Sequence, residues 1–180
     1  VRGSSDLSGR RPPKTVLRLL DDAFEAQVEA VTAGGGEVLK FMGDGLLAMF
    51  DGDGSARGAC RAALAAARDL PTRIAACNQR RQDDGEPLIR YGLALHYGTC
   101  MFGNIGAPER LDFTVIGPAV NLCARLEPLT SQLDVRAVAS ALFMRHADEE
   151  WPHAGTFTLK GVGECDVHVV PDGSAEAESA

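Results

Sequence analysis

Asn121 and Arg125 stand four residues apart in "PAVNLCARLE", a spacing that sets a carboxamide and a guanidinium side by side on one flank of a helix. Together they can orient a hydroxyl and hold a phosphoryl oxygen. Asp44 lies between two glycines in "KFMGDGLLAMF", where two short apolar runs meet. Asp-Gly is a favoured hairpin pair, and a carboxylate bared by glycines also suits a divalent cation; the stretch alone fits both. Lys40 interrupts an apolar run, where a lysine is less expected, and Lys160 in "FTLKGVGE" ends one before a glycine turn, where an ammonium can reach outward to phosphate. Thr114, central in "LDFTVIG", offers a hydroxyl. Each also has a plain structural reading: solvated helix positions, a lysine that solubilises an edge, a strand threonine chosen for packing.

Other chemistries find less support. His96 and Tyr97 end an apolar run without an evident Ser or Cys partner, which argues against a hydrolase triad. Neither GxxxxGK[ST] nor GxGxxG is present, so a P-loop or Rossmann nucleotide site is not supported. The cysteines, Cys60, Cys77, Cys100, Cys123 and Cys165, are odd in number and lack paired ligand spacing. They read as thiols in a reducing cytoplasm rather than as a disulfide framework or zinc site.

Placing these residues requires strands, turns and helices in a particular order. The opening "VRGSSDLSGRRPP" reads as a polar loop. Val16, Leu19, Leu20, Phe24, Val28 and Val31 then recur at helical spacing, predicting a helix over 13–32 that starts at Pro12-Pro13 and ends at Gly34-Gly35-Gly36. A hairpin over 37–42 and 46–50 follows, then an Ala-rich helix to about Arg80 with a jog expected at Pro71. Strands are expected in "LIRYGLALHY", "GTCMFGNIG" and "RLDFTVIG", and Gly117-Pro118 opens a helix with Leu122, Leu126 and Leu129 on one stripe. Strand "VRAVA", a short helix over 140–147 and strands near 155–160 and 165–170 complete the domain; residues 171–180 lack apolar side chains and are expected to be disordered. The order matches an α+β, ferredoxin-like (βαββαβ) antiparallel sheet with helices packed on one face, its first strand absent.

With 180 residues, 45% hydrophobic and 24% charged, the chain suits one soluble domain. A net charge of -7 argues against nucleic acid as partner, while leaving a nucleotide open. No stretch is apolar for long enough to span a bilayer, so no direct membrane segment is expected and the location is read as cytoplasmic.

Jointly and in order, "GGGEVLKFMGDGLLAMF", "YGLALHYGTCMFGNIGAPERLDFTVIGPAVNLCARLE" and "FTLKGVGE" resemble the class III nucleotidyl cyclase catalytic domain, in its bacterial adenylate cyclase form, over residues 1–170. The resemblance implies conversion of ATP to 3′,5′-cyclic AMP and pyrophosphate. Two divalent ions, Mg²⁺ or Mn²⁺, would assist the ribose 3′-hydroxyl in attacking the α-phosphate. It implies Asp44 and the backbone carbonyl of Val1 for metal, Asn121 for the ribose, Arg125 for the α-phosphoryl oxygens and Lys160 for the terminal phosphates. Lys40 and Thr114 would read the adenine edge, with Ser4 and Ser5 also placed at the substrate. The family builds its site between two chains, so a head-to-tail homodimer is implied, under the control of a regulatory domain outside this stretch.

Departures from the family pattern carry their own expectations. Val1-Arg2-Gly3-Ser4-Ser5 matches the family's Asp-x-[Arg/Glu]-Gly-Phe-[Thr/Ser] stretch from its second position on, so the first metal aspartate would sit one residue before Val1, in an N-terminally incomplete domain. Ser4 replaces the usual phenylalanine, and Thr99 stands where some relatives place a pyrophosphate-holding arginine. A degenerate domain that binds nucleotide or only dimerises is the alternative, and a guanylate cyclase the third.

Overall fold

Two long helices carry the framework. The computed structural model describes residues 1–107 and 110–171, together with their side chains except those of residues 5, 6 and 105–113. Helix α2 (Pro13–Ala33) starts at a proline, whose missing N–H costs nothing there, and buries Val16, Leu19, Ala23, Ala26, Ala30 and Val31 on one stripe. Helix α3 (Ala56–Asp83) is capped by the Ser55 hydroxyl, which accepts from the Gly58 N–H at 2.9 Å. It buries Ala63, Ala66, Leu70 and Ile74 towards α2 and the sheet. Alanines on both facing stripes let the two axes approach closely. The expected jog at Pro71 does not divide the helix, which continues as one element because Leu70 and Ile74 anchor it in the core on either side.

A hairpin, β1 (Glu37–Met42) and β2 (Gly45–Met49), follows α2. The main sheet has the order β3 (Leu93–Leu95), β6 (Ala137–Ser140), β8 (Gly163–Val169), β7 (His153–Leu159). Its β3–β6 pair is parallel and the rest antiparallel, so the α+β class holds with one parallel contact. A second ribbon, β4 (Met101–Ala107) with β5 (Arg110–Ile116), projects separately, and β5 lies against β1. Helices α4 (Pro118–Leu126) and α5 (Leu129–Gln132) lead into β6, and α6 (Ala141–Ala147) follows it.

The hairpin and the main sheet do not share hydrogen bonds. Gly45–Phe50 on one side and Tyr91–Thr99 on the other face a cavity of about 980 Å³, floored by Ala63, Ala66 and Leu70 of α3 and Ala30 and Val31 of α2. The expected strand "LIRYGLALHY" accordingly forms a strand ladder only at Leu93–Leu95, where it pairs with β6.

Two short helices were not foreseen, α5 and α1 (Ser4–Ser8), the latter in the segment read as loop. Residues 172–180, expected as a disordered tail, lie outside the described residues. Leu126, Leu129, Val138, Leu159 and Val167 form the cluster that seats α4 on the sheet and so fixes where its outer flank points.

Candidate active site

The hairpin tip differs from the Asp-Gly turn expected. Met42 pairs with Gly45, so the two-residue loop is Gly43-Asp44, and the positive φ of 62° belongs to Gly43. Glycine at the first central position is what a type II′ hairpin requires. Asp44 therefore keeps an ordinary backbone conformation while its carboxylate stands at the tip. Three residues back, the ladder steps from Val38↔Ala48 to Lys40↔Leu47, leaving Leu39 as an extra residue in a β-bulge. Successive strand residues alternate faces, so Lys40 lies on the face opposite Phe41, whose ring packs edge-on against Phe24 of α2 at 5.0 Å. A lysine inside an apolar strand is thereby turned away from the helices.

Asp44 is tied to the chain's first residues. The backbone nitrogen of Val1 donates to the Asp44 carbonyl at 2.5 Å, and the Ser4 hydroxyl donates to Asp44 Oδ2. Gly3, at φ 77°, turns the chain into α1 so that Ser4 enters the contact buried. The Ser4 carbonyl in turn accepts from the Ser8 hydroxyl at 2.9 Å. Arg2 anchors the same stretch: its N–H donates to the Arg90 carbonyl at 2.7 Å and its guanidinium to the Val135 carbonyl at 2.5 Å. The side chain of Ser5, another expected substrate residue, lies outside the described residues.

On α4 the geometry is set by Gly117. Its φ of 149° and the contacts a Cβ would make there, 2.9 Å to the Thr99 carbonyl and 3.0 Å to Cys100 Cα, leave room only for glycine. From this start Asn121 and Arg125 fall on the exposed flank, while Leu122 and Leu126 turn to the core. Thr114 is half-buried on β5 opposite Gly103, and Lys160 is exposed in the turn after β7. Val1, Asp44 and Thr99 line the apolar cavity; Lys40, Thr114, Asn121, Arg125 and Lys160 do not. One copy of the chain thus puts β1 beside β5, and with them Lys40 and Thr114 on neighbouring strands; Asp44 lines the cavity, whereas Asn121 and Arg125 lie outside its lining on the exposed flank of α4.

The cavity itself is unsuited to a triphosphate, since Arg2 is the one Lys or Arg in its lining. Burial holds the His96 imidazole below its ordinary value, and Nδ1 lies 2.8 Å from the Ser140 hydroxyl, which also accepts from the Phe143 N–H at 3.2 Å. Burial likewise pushes the Cys123 thiol up to about 11. These groups are uncharged at neutral pH and fit a packing role.

Among the described residues no three His, Cys, Asp or Glu side chains converge as a metal cage. One carboxylate at a glycine-flanked tip fits a different arrangement, in which Mg²⁺ or Mn²⁺ is shared between a single protein carboxylate and the oxygens of a bound phosphate chain.

Comparison with known proteins identifies the family and the fold. The family model for the adenylate and guanylate cyclase catalytic domain matches residues 1–172. An adenylate cyclase of Anabaena cylindrica is 34% identical over 132 residues, covering 73% of this chain and 26% of that protein. The chain spans about a quarter of the length of the curated adenylate cyclases it matches. The crystal structure of the adenylyl cyclase CyaB from P. aeruginosa superposes with a TM-score of 0.80 at 26% identity, covering 94% of this chain and 89% of that one. That of the guanylyl cyclase Cya2 superposes with a TM-score of 0.81 at 26% identity, covering 98% and 91%. From its hairpin and α4 through its match over residues 1–172, the chain belongs to the class III adenylate and guanylate cyclase catalytic domain family.

Proposed function

We propose that the domain forms 3′,5′-cyclic AMP from ATP at two equivalent sites of a head-to-tail homodimer. The observation that carries this reading is the separation just described. Asp44 stands at the hairpin tip beside the cavity, while the side chains of Asn121 and Arg125 project from the exposed flank of α4 and make no hydrogen bond or ion pair with any described residue. Groups that must act on one phosphate yet lie apart in one chain are reconciled when a second copy supplies the complement. Exposed Met101, Phe102 and Ile116 on the β4–β5 ribbon, with Phe41 and Met42 on β1, provide apolar surface for that contact.

In each site Asp44 of one protomer would hold Mg²⁺ or Mn²⁺ on the triphosphate. When bound, the ion neutralises phosphate charge and makes the 3′-hydroxyl easier to ionise. Asn121 of the partner orients the ribose. The 3′-hydroxyl gives up its proton to water or a substrate phosphate oxygen as its oxygen bonds to the α-phosphorus, the bond from that phosphorus to the β-phosphate bridging oxygen breaks, and pyrophosphate leaves with the electron pair. Arg125 faces the charge that builds on the α-phosphoryl oxygens, and Lys160 holds the departing phosphates. The Lys40 ammonium donates to adenine N1 and the Thr114 hydroxyl accepts from the N6 amine. Guanine bears a proton at N1 and a carbonyl at C6, so this pair selects ATP.

One observation favours the second reading, a nucleotide-binding or dimerising regulatory module: the described residues bring a single carboxylate to the tip. The full-length protein with ATP and Mn²⁺ separates the two. Cyclic AMP forms in the enzyme reading and falls to background in Asp44→Asn, whereas no product from the unmutated protein favours the module. Lys40→Glu with Thr114→Cys should move preference towards GTP, and an unchanged ATP preference would contradict the assigned base contacts.

A further inference from the structure

We infer that Ser4 is a positioning residue that limits Asp44 to one metal-facing oxygen and so selects a small octahedral cation over Ca²⁺. The inference rests on the reading of Asp44 as a metal ligand. Ser4 is 7% exposed, and its hydroxyl donates to Asp44 Oδ2; no other described side chain donates to that carboxylate. The hydroxyl is held there from both sides. Gly3 in its left-handed conformation starts α1 at Ser4, and the Arg2 N–H donates to the Arg90 carbonyl at 2.7 Å, which fixes where that first turn begins.

The consequence follows from what each cation needs. A hydrogen bond from a buried donor takes one lone pair of one carboxylate oxygen and fixes the tilt of the group, which favours one-point contact with a cation through the other oxygen. Mg²⁺, with its near-ideal octahedron, accepts a single oxygen readily, and Mn²⁺ tolerates the same site. Ca²⁺ has more ligands to fill and gains from a bidentate carboxylate. A phenylalanine at position 4, the residue the family pattern carries, has no donor and leaves both oxygens open. The serine therefore changes the chemistry of the metal carboxylate as well as the packing beneath it.

The test is a titration of the full-length protein with Mn²⁺ in the presence of 3′-deoxy-ATP, which cannot cyclise, with free Mn²⁺ read by electron paramagnetic resonance and Ca²⁺ added as competitor. Loss of the hydroxyl in Ser4→Ala should weaken Mn²⁺ binding about tenfold, as removal of a partner behind a metal ligand does. Ca²⁺ affinity should hold or rise, because the freed oxygen allows a bidentate contact, so the Mn²⁺/Ca²⁺ preference narrows by at least that factor. Ser4→Thr, which keeps the donor, should restore the preference, and a purely structural role for Ser4 would not move that ratio. Ser4→Cys, close in volume but a poorer donor, should fall between and serves if the alanine variant folds poorly. Mn²⁺ binding that Asp44→Ala abolishes, together with an unmoved ratio in Ser4→Ala or Ser4→Cys, overturns the inference. Mn²⁺ binding that survives Asp44→Ala overturns the metal-ligand reading and this inference with it.

Discussion

Replacing Arg125 by alanine should separate catalysis from stability. The side chain is exposed on α4 and makes no ion pair or hydrogen bond with any described residue. Truncating such a residue changes folding free energy by no more than about 0.5 kcal/mol, a shift of about 1–2 °C in Tm for a domain of this size. Removing a donor aimed at developing transition-state charge costs about 10²–10³ in kcat. Arg81 supplies the internal contrast. It is 3% exposed, pairs with Asp22 and Glu86, and donates to the Pro87 carbonyl at 2.7 Å. Its acidic partners are themselves 40% and 24% exposed, so water screens what the substitution leaves behind. Arg81→Ala should therefore cost nearer ~2 kcal/mol than the ~3–5 kcal/mol of a fully buried pair. Thermal unfolding and a cyclic AMP assay on both variants decide the matter. Arg125→Ala should be stable and nearly inactive, and Arg81→Ala less stable with activity retained below its melting range. Arg125→Ala with activity within about threefold of the parent would refute the assigned role, since a transition-state donor is worth far more.

Two further outcomes follow from local geometry. Gly117→Ala forces a Cβ against the Thr99 carbonyl at a φ that disfavours side chains, so it should cost about 1–3 kcal/mol and, by shifting the start of α4, lower kcat by up to about 10²; an unchanged Tm would contradict this. His96, held by burial below its ordinary 6.5, contributes stability that is fully present above pH 6.5 and declines as pH falls below it, because the unfolded chain takes up the proton first. Denaturant midpoints at pH 7.5 and 5.5 should differ more in the parent than in His96→Asn, and equal differences would show that the imidazole does not carry the effect.

Much of the fold could be read from periodicity and punctuation. Pro12-Pro13 and the glycine run bounded α2, and Gly117-Pro118 opened α4 where the structure has it. What stayed hidden depends on contacts distant in sequence. Helix α1 forms in a segment read as loop because Gly3 and the Ser4–Asp44 bond hold it, a pairing across forty residues that no local pattern signals. The β-bulge at Leu39 is hidden for a related reason. Apolar and polar letters alternate imperfectly there, and only the ladder to β2 reveals which residue is the extra one. A Lys within an apolar run was the available hint. The candidate residues stood out in the sequence as types in an ordered set, and the resemblance implied a site shared by two chains; the fold adds that Asp44 lies at the hairpin tip and Asn121 and Arg125 on the outer flank of α4.

The central claim is that each site is completed by two protomers, and mixing inactive variants measures it most directly. Full-length Asp44→Ala and Arg125→Ala proteins, each without activity alone, should exchange subunits into heterodimers holding one intact site and one doubly damaged site. At equal concentrations, random assembly restores about a quarter of the parent cyclic AMP rate. Recovery near that level, lost again when either variant also carries the other's substitution, is the expected result; mixtures that stay at background after demonstrated subunit exchange would contradict a site shared between copies.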